Sequence, residues 1–169
     1  MRQSRTSQTF RELLTVADRL KFRSHRISHL LDSRGRHVLK LPAAFPFAVS
    51  LFYFRAGAVT RRLTWHERLE LLVPLDGPLR ERMGDMVVDL HPGDVLVVDH
   101  LKPHQVMDIP GLDTRAVVIS FLQECVFTPG SPPADYAFLL PFFRKVEGRP
   151  QVLRAHSPGA GPADRKSVV

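Results

Sequence analysis

The chain has 169 residues, 44% of them hydrophobic, enough for one domain with a sizeable core. No apolar run reaches the roughly 18 residues of a membrane span, and the opening MRQSRTSQTF has no apolar stretch of a secretory signal. The single cysteine, Cys125, excludes an internal disulfide, and no CxxC zinc pattern is present. A cytoplasmic location without a membrane partner is the expectation, with Cys125 a small buried apolar group.

The net charge is +7, and it is localised. Residues 1–40 hold 10 Lys or Arg against 3 Asp or Glu, whereas residues 41–169 hold 14 of each. Residues 1–40 are therefore a basic arm, helical or partly disordered. Phe10, Leu13, Leu14, Ala17, Leu20, Ile27 and Leu31 recur at helical spacing and predict an amphipathic helix over 9–31. DSRGRH ends it, with a turn at Gly35. The cations suit nucleic acid or an acidic surface, or simply form a solvated face. His25 and His29 stand i, i+4 on the expected helix and His37 follows it; a solvated face is expected for them rather than a metal site.

From residue 47 the period changes. FAVSLFYF, LELLVPLDG, DMVVDL, DVLVVD, HQVMDI and RAVVISF are short β-rich runs separated by turn signals such as HPGD and IPGLD. This spacing predicts an all-β sandwich or barrel over 41–125, with at least six antiparallel strands between 47 and 121. The β pattern stops after Phe121. Residues 126–163 read as a loop (TPGSPP), a short helix (ADYAFLLPFFRKV, broken at Pro141) and a linker (HSPGAGPAD).

One run-in to a strand carries unusual chemistry. In TWHERLELLVPLDG, extended backbone would put Thr64, His66, Arg68 and Glu70 on one face and Trp65, Leu69, Leu71 and Val73 on the other. The polar face is either solvent-exposed or lines a polar cavity. The apolar parity then requires a bulge near His66 or an outer face covered by the arm or a partner. Arg68 can pair with Glu70 or meet an anionic ligand. Tyr53, Phe54 and Trp65 suit core or pocket wall, and His91 and His100 sit beside turns as surface residues.

The spacing resembles the cupin superfamily. Its first motif, G-x5-H-x-H-x3-4-E-x6-G, is approached by Gly57, Thr64, His66, Glu70 and Gly77. Its second, G-x5-P-x-G-x2-H-x3-N, is approached by Gly93, Asp99, Leu101, His104 and Asp108. The resemblance implies a mainly β fold, a cupin-like antiparallel β-barrel of jelly-roll type, here with an N-terminal helical arm and a short C-terminal helix. It also implies a metal set of His, His, Glu and His. Thr64 stands where one imidazole is usual, so no metal cofactor is expected; if a divalent ion binds, His66, Glu70 and His104 hold it.

Residues 36–155 also resemble the N-terminal sensor of AraC-type transcription regulators, through FPFAVSLFYFRAG, WHERLELLVPLDG, LHPGDVLVVDHLKPH and DYAFLLPFFRKVEGRPQVL. That resemblance implies a non-enzymatic domain that senses a small effector, a sugar or metabolite, and forms a homodimer. DNA would be bound only through a separate helix-turn-helix domain. The ligand would lie against Thr64, His66, Arg68, Glu70 and His104. The ending DRKSVV resembles a translated sequencing-adapter read-through, so residues 164–169 are expected to be non-native and the natural protein longer. The alternatives are a small metal-dependent cupin enzyme, an isomerase or oxygenase using His66, Glu70 and His104, and a scaffold serving only dimerisation.

Overall fold

A computed structural model describes residues 5–25, 28–55, 62–107, 113–143 and 151–155. Ile27, Gly57, Asp108 and residues 156–169 lie outside the described residues. The chain folds as two facing β-sheets. β1 (Arg23–Ser24), β2 (Phe47–Phe54), β3 (Leu69–Pro74), β4 (Leu79–Met83), β5 (Met86–Leu90), β6 (Val95–Val98), β7 (His104–Met107), β8 (Thr114–Phe121) and β9 (Gln151–Leu153) follow in chain order. The larger sheet runs β1-β2-β8-β3-β6-β9 and the smaller β5-β4-β7. From β2 to β8 every pairing is antiparallel, giving seven such strands between Phe47 and Phe121. Among the described strands β1 alone pairs in parallel, Arg23 with Phe52 and Ser24 with Tyr53. The architecture is the jelly-roll type expected.

Alternation decides which side chains enter the space between the sheets. Leu72, Leu96, Val98, Ala116 and Val118 of the larger sheet meet Leu79, Met83 and Leu90 of the smaller, with Phe52 and Phe54 beside them. The larger sheet is covered on its outer face too, so its strands read as near-continuous apolar runs rather than clean alternation. There the helix α1 (Arg5–Ala17) brings Phe10, Leu14 and Ala17 onto Leu51, Leu75 and Val117. Two helical turns, α2 (Pro133–Tyr136) and α3 (Leu140–Phe143), help bring Leu139 and Phe142 onto Leu69, Val97 and Phe121. Arg115 ties the arm down, pairing with Asp18 at 2.9 Å and with Asp76, its guanidinium over the Phe22 ring. Among the described residues the longest helix has 13 residues, and none is long and apolar enough to cross a membrane.

Three expectations are corrected. The arm helix stops at Ala17 rather than Leu31, because the edge of β2 captures Arg23–Ser24 as a strand, and only a 3-10 turn (Ser28–Leu30) follows. The strand carrying Glu70 begins at Leu69, so Thr64 to Arg68 do not form one extended face; the chain bends at Glu67 and Arg68. The C-terminal helix is interrupted, as its proline implies, into two separate turns, since Pro141 has no N–H to donate one turn back. The β pattern also resumes after Phe121, with β9 pairing to β6.

Candidate functional site

The site lies where the run-in to β3 crosses β7. Thr64 and His104 exchange two backbone hydrogen bonds of 2.9 and 2.8 Å, which bridges the larger sheet's lead-in to the smaller sheet. The Thr64 hydroxyl turns to the His104 carbonyl at 3.4 Å, so Thr64 positions this crossing. Leu101 N–H donates to the His66 carbonyl at 2.7 Å, and Leu101 takes a left-handed backbone with φ of 64°. That is the position of the second glycine in the cupin-like motif.

These contacts bring His66, Glu70 and His104 together, with one potential ligand atom from each lying within 4.8 Å of the others. The rings of His66 and His104 meet edge to face at 4.7 Å. His66 is 1% exposed. His66 Nδ1 lies 2.9 Å from the Arg68 carbonyl and His104 Nδ1 lies 2.9 Å from the Lys102 carbonyl. A carbonyl can only accept, so each Nδ1 carries a proton. On a neutral ring the lone pair then sits on Nε2, the arrangement that outer-shell carbonyls impose on metal-binding histidines.

Glu70 is held from the other side. Its Oε1 accepts from Arg68 Nε and from the Ser120 hydroxyl, both at 2.7 Å. Its Oε2 lies 3.0 Å from His66 Nε2, yet that buried nitrogen makes no hydrogen bond. Two ligand atoms each about 2.1 Å from one ion at a right angle are separated by roughly 3.0 Å. The contact therefore has the spacing of neighbouring ligands. The 4.8 Å limit exceeds twice that ligand distance, so closing all three onto one ion needs a small inward shift. Burial alone would raise the Glu70 carboxyl; His66 in its protonated, ion-free form and the Arg68 guanidinium outweigh it and hold the group well below the usual carboxylate range.

Arg68 links this cluster to the arm. Besides Glu70, it donates to the His37 carbonyl at 2.9 Å and to His37 Nδ1 at 2.8 Å. His37 Nδ1 therefore accepts, and a neutral His37 carries its proton on Nε2, which is buried without a partner. His25 packs against Phe52 and Phe54 at ring distances of 4.8 and 4.6 Å. Burial pushes His25, His37 and His104 down to about 4, leaving them neutral near pH 7.

Two cavities meet at His37 and Glu70. One, of about 60 Å³, is walled by Phe52, Phe54, Leu72 and Val98 and includes His104 and Glu81. The other, of about 220 Å³, lies between the arm and the larger sheet, with Ser50, Ser120 and Arg68 in its wall. A groove of about 580 Å³ outside them also reaches His37 and Arg68.

Thr64, His66, Arg68, Glu70 and His104 thus meet in one interior, although the bend rather than strand parity puts them there. Arg68 takes the first of its two expected roles, the pair with Glu70. His91 and His100 are exposed beside turns, and His29 is exposed. Cys125 is half-buried and donates to the Pro46 carbonyl at 3.1 Å. His25 and His37 are not a solvated face: pairing of the arm with β2 and the Arg36–Trp65 bridge carry them to the site. Glu81 was not anticipated, though its place between Leu79 and Met83 on alternating core positions marks it.

No protein-family model and no curated protein matches the chain. Among solved structures it is similar to a cupin protein from Bacteroides fragilis, with a TM-score of 0.42 and 19% identity over 45% of this chain and 65% of that one. It is similar to an RmlC-like cupin family protein with a double-stranded β-helix fold from Methanocaldococcus jannaschii, with a TM-score of 0.42 and 10% identity over 45% and 70%. It is also similar to an oxalate decarboxylase mutant from Bacillus subtilis, with a TM-score of 0.40 and 20% identity over 44% of this chain and 21% of that one. The chain spans under two-thirds of the Bacteroides protein. Likeness at this level assigns neither ligand nor activity.

Proposed function

We propose that the chain is a small-molecule-sensing barrel domain whose interior site is built on a divalent metal ion held by His66, Glu70 and His104. The observation that carries the reading is the pair of Nδ1–H groups committed to backbone carbonyls, which leaves both Nε2 atoms available beside a carboxylate. This revises the expectation of a metal-free site drawn from Thr64. Three protein ligands suffice for an ion that keeps open positions for a ligand oxygen. When bound, the ion supplies Lewis acidity to whatever enters the chamber. Arg68 and Ser120 orient Glu70, while Phe52, Phe54 and Leu72 keep bulk water out.

Sensing is favoured by the arm. His25 and His37 belong to it and wall the site, and Arg68 binds Glu70 and His37 together. Ligand occupancy would therefore be felt by the arm, as befits the sensor half of an AraC-like regulator acting as a homodimer, with DNA contacted through another domain. A second reading, a metal-dependent isomerase or oxygenase, is favoured by the same three-ligand set with open positions. Metal analysis after exhaustive dialysis tests the shared premise. About one equivalent of a divalent ion in the parent and its loss in His66→Ala are expected; a metal-free, equally stable parent overturns it. Limited proteolysis of the arm with and without ligand, beside a search for turnover, separates sensor from enzyme.

A further inference from the structure

Position 81 is built as a core position. On β4 the inward side chains are Leu79, Glu81 and Met83, and both flanking residues pack in the core between the sheets. Glu81 is 1% exposed, and its Oε2 is buried with no partner. A buried carboxyl oxygen without a partner costs stability that a leucine there would not. Packing gives no reason for it. His37 Nε2–H, the second unpartnered donor, lines the same cavity of about 60 Å³. The remaining wall is half apolar, with Phe52, Phe54 and Leu72 in it, and half polar, with Arg62, Thr64 and Gln105 beside the His66–Glu70–His104 cluster.

We propose that Glu81 and His37 donate hydrogen bonds to oxygen atoms of a small hydroxy- or oxo-carboxylate seated in this cavity, with another of its oxygens toward His66, Glu70 and His104. The last contact rests on the metal-site reading above; the first two do not. Burial and the neighbouring Glu70 carboxylate push the Glu81 carboxyl well above its usual range, which favours the protonated form that can donate. The cavity thus offers donors where packing would offer methyl groups. An apolar molecule would leave both donors unpaired. An ammonium would have to strip Glu81 of its proton and set two carboxylates in one buried space. A short chain fits the volume, which holds only a few water-sized groups.

The test uses the full chain and three probes of similar size, lactate, propionate and propylammonium, titrated at neutral pH and followed by NMR shifts of the barrel amides. Lactate is expected to bind about tenfold more tightly than propionate, with propylammonium weakest. Glu81→Gln, which keeps a donor, retains the lactate preference, and Glu81→Leu erases it. A protonated-carboxyl stretch in the infrared spectrum at neutral pH, absent from Glu81→Gln and shifted by lactate, is the second expected readout. Equal binding of the three probes, no binding at millimolar concentration, preference for propylammonium, or an unchanged preference in Glu81→Leu overturns the proposal. Repeating the titration on chelated protein separates the two readings. A Glu81-dependent preference that survives without metal upholds this inference while the metal site falls. A loaded site with no Glu81 dependence does the reverse.

Discussion

Glu70 and Ser120 face each other across β3 and β8, and the Ser120 hydroxyl donates to Glu70 Oε1 at 2.7 Å inside the barrel. The bond leaves Oε2 to face His66. Hydrogen bonds to charged groups are worth about 1.5–3 kcal/mol. Ser120→Ala is expected to lose stability in that range in urea unfolding. It should also weaken divalent-ion affinity by about tenfold in competition with a chelator, because the carboxylate loses one of its two orienting donors. Unchanged affinity with lower stability would reduce Ser120 to a packing role.

Acid should unfold the protein partly through the arm. The His25 ring is ordinarily half-protonated at pH 6.5, and burial lowers this to about 4 in the fold. Between those values the unfolded chain binds more protons, so stability is complete above pH 6.5 and falls as pH drops toward 4. His25→Phe preserves an aromatic ring against Phe52 and Phe54 while removing the proton site. It should flatten this acid limb by about 2–4 kcal/mol, leaving the parts due to His37 and His104. Chemical denaturation at a series of pH values measures it.

Glu81 should act with the opposite slope. Its carboxyl is raised in the fold, so the unfolded chain releases its proton first as pH rises above about 4.5. Stability from this group is complete at lower pH and falls as pH rises toward the folded-state value. Glu81→Gln should therefore be more stable than the parent at neutral pH, with the gap closing below pH 4. A parallel pair of stability curves would show that Glu81 does not titrate as argued.

Gly77, the last glycine of the first motif, is fixed by close approach rather than by unusual backbone. A Cβ there would overlap the Thr114 hydroxyl and meet the Asp113 carbonyl at 2.9 Å. Thr114 cannot swing away freely, because its hydroxyl donates to the Pro78 carbonyl at 2.8 Å. Gly77→Ala is expected to cost about 1–3 kcal/mol. A thermal melt unchanged within error would mean that the β3–β4 turn yields.

The strands were legible because turn residues punctuate them, and the grouping of His66, Glu70 and His104 was legible through the resemblance to the cupin motifs. Their tautomers were not, since these depend on the Arg68 and Lys102 carbonyls. His25 and His37 were hidden for a different reason. Helical spacing from Phe10 to Leu31 is a local signal, whereas pairing of Arg23 and Ser24 with Phe52 and Tyr53 is a contact across nearly 30 residues, which periodicity does not see. Glu81 was readable in LRERM, where an alternating apolar pattern has a carboxylate at its centre.

Leu101 carries a consequence for motion. A branched side chain held at a φ of 64° costs roughly 1–2 kcal/mol, and its N–H bond to the His66 carbonyl opposes relaxation. The free energy needed to open this turn is lower by that strain than in a barrel with glycine at the same place. The turn leads directly into His104, so transient opening withdraws one imidazole from the cluster while leaving His66 and Glu70 on the other sheet. Amide exchange should be faster around Leu101 than in β3 or β8, and Leu101→Gly should slow it. One of the residues by which this sequence departs from the cupin-like motif would thus set how often the site comes apart.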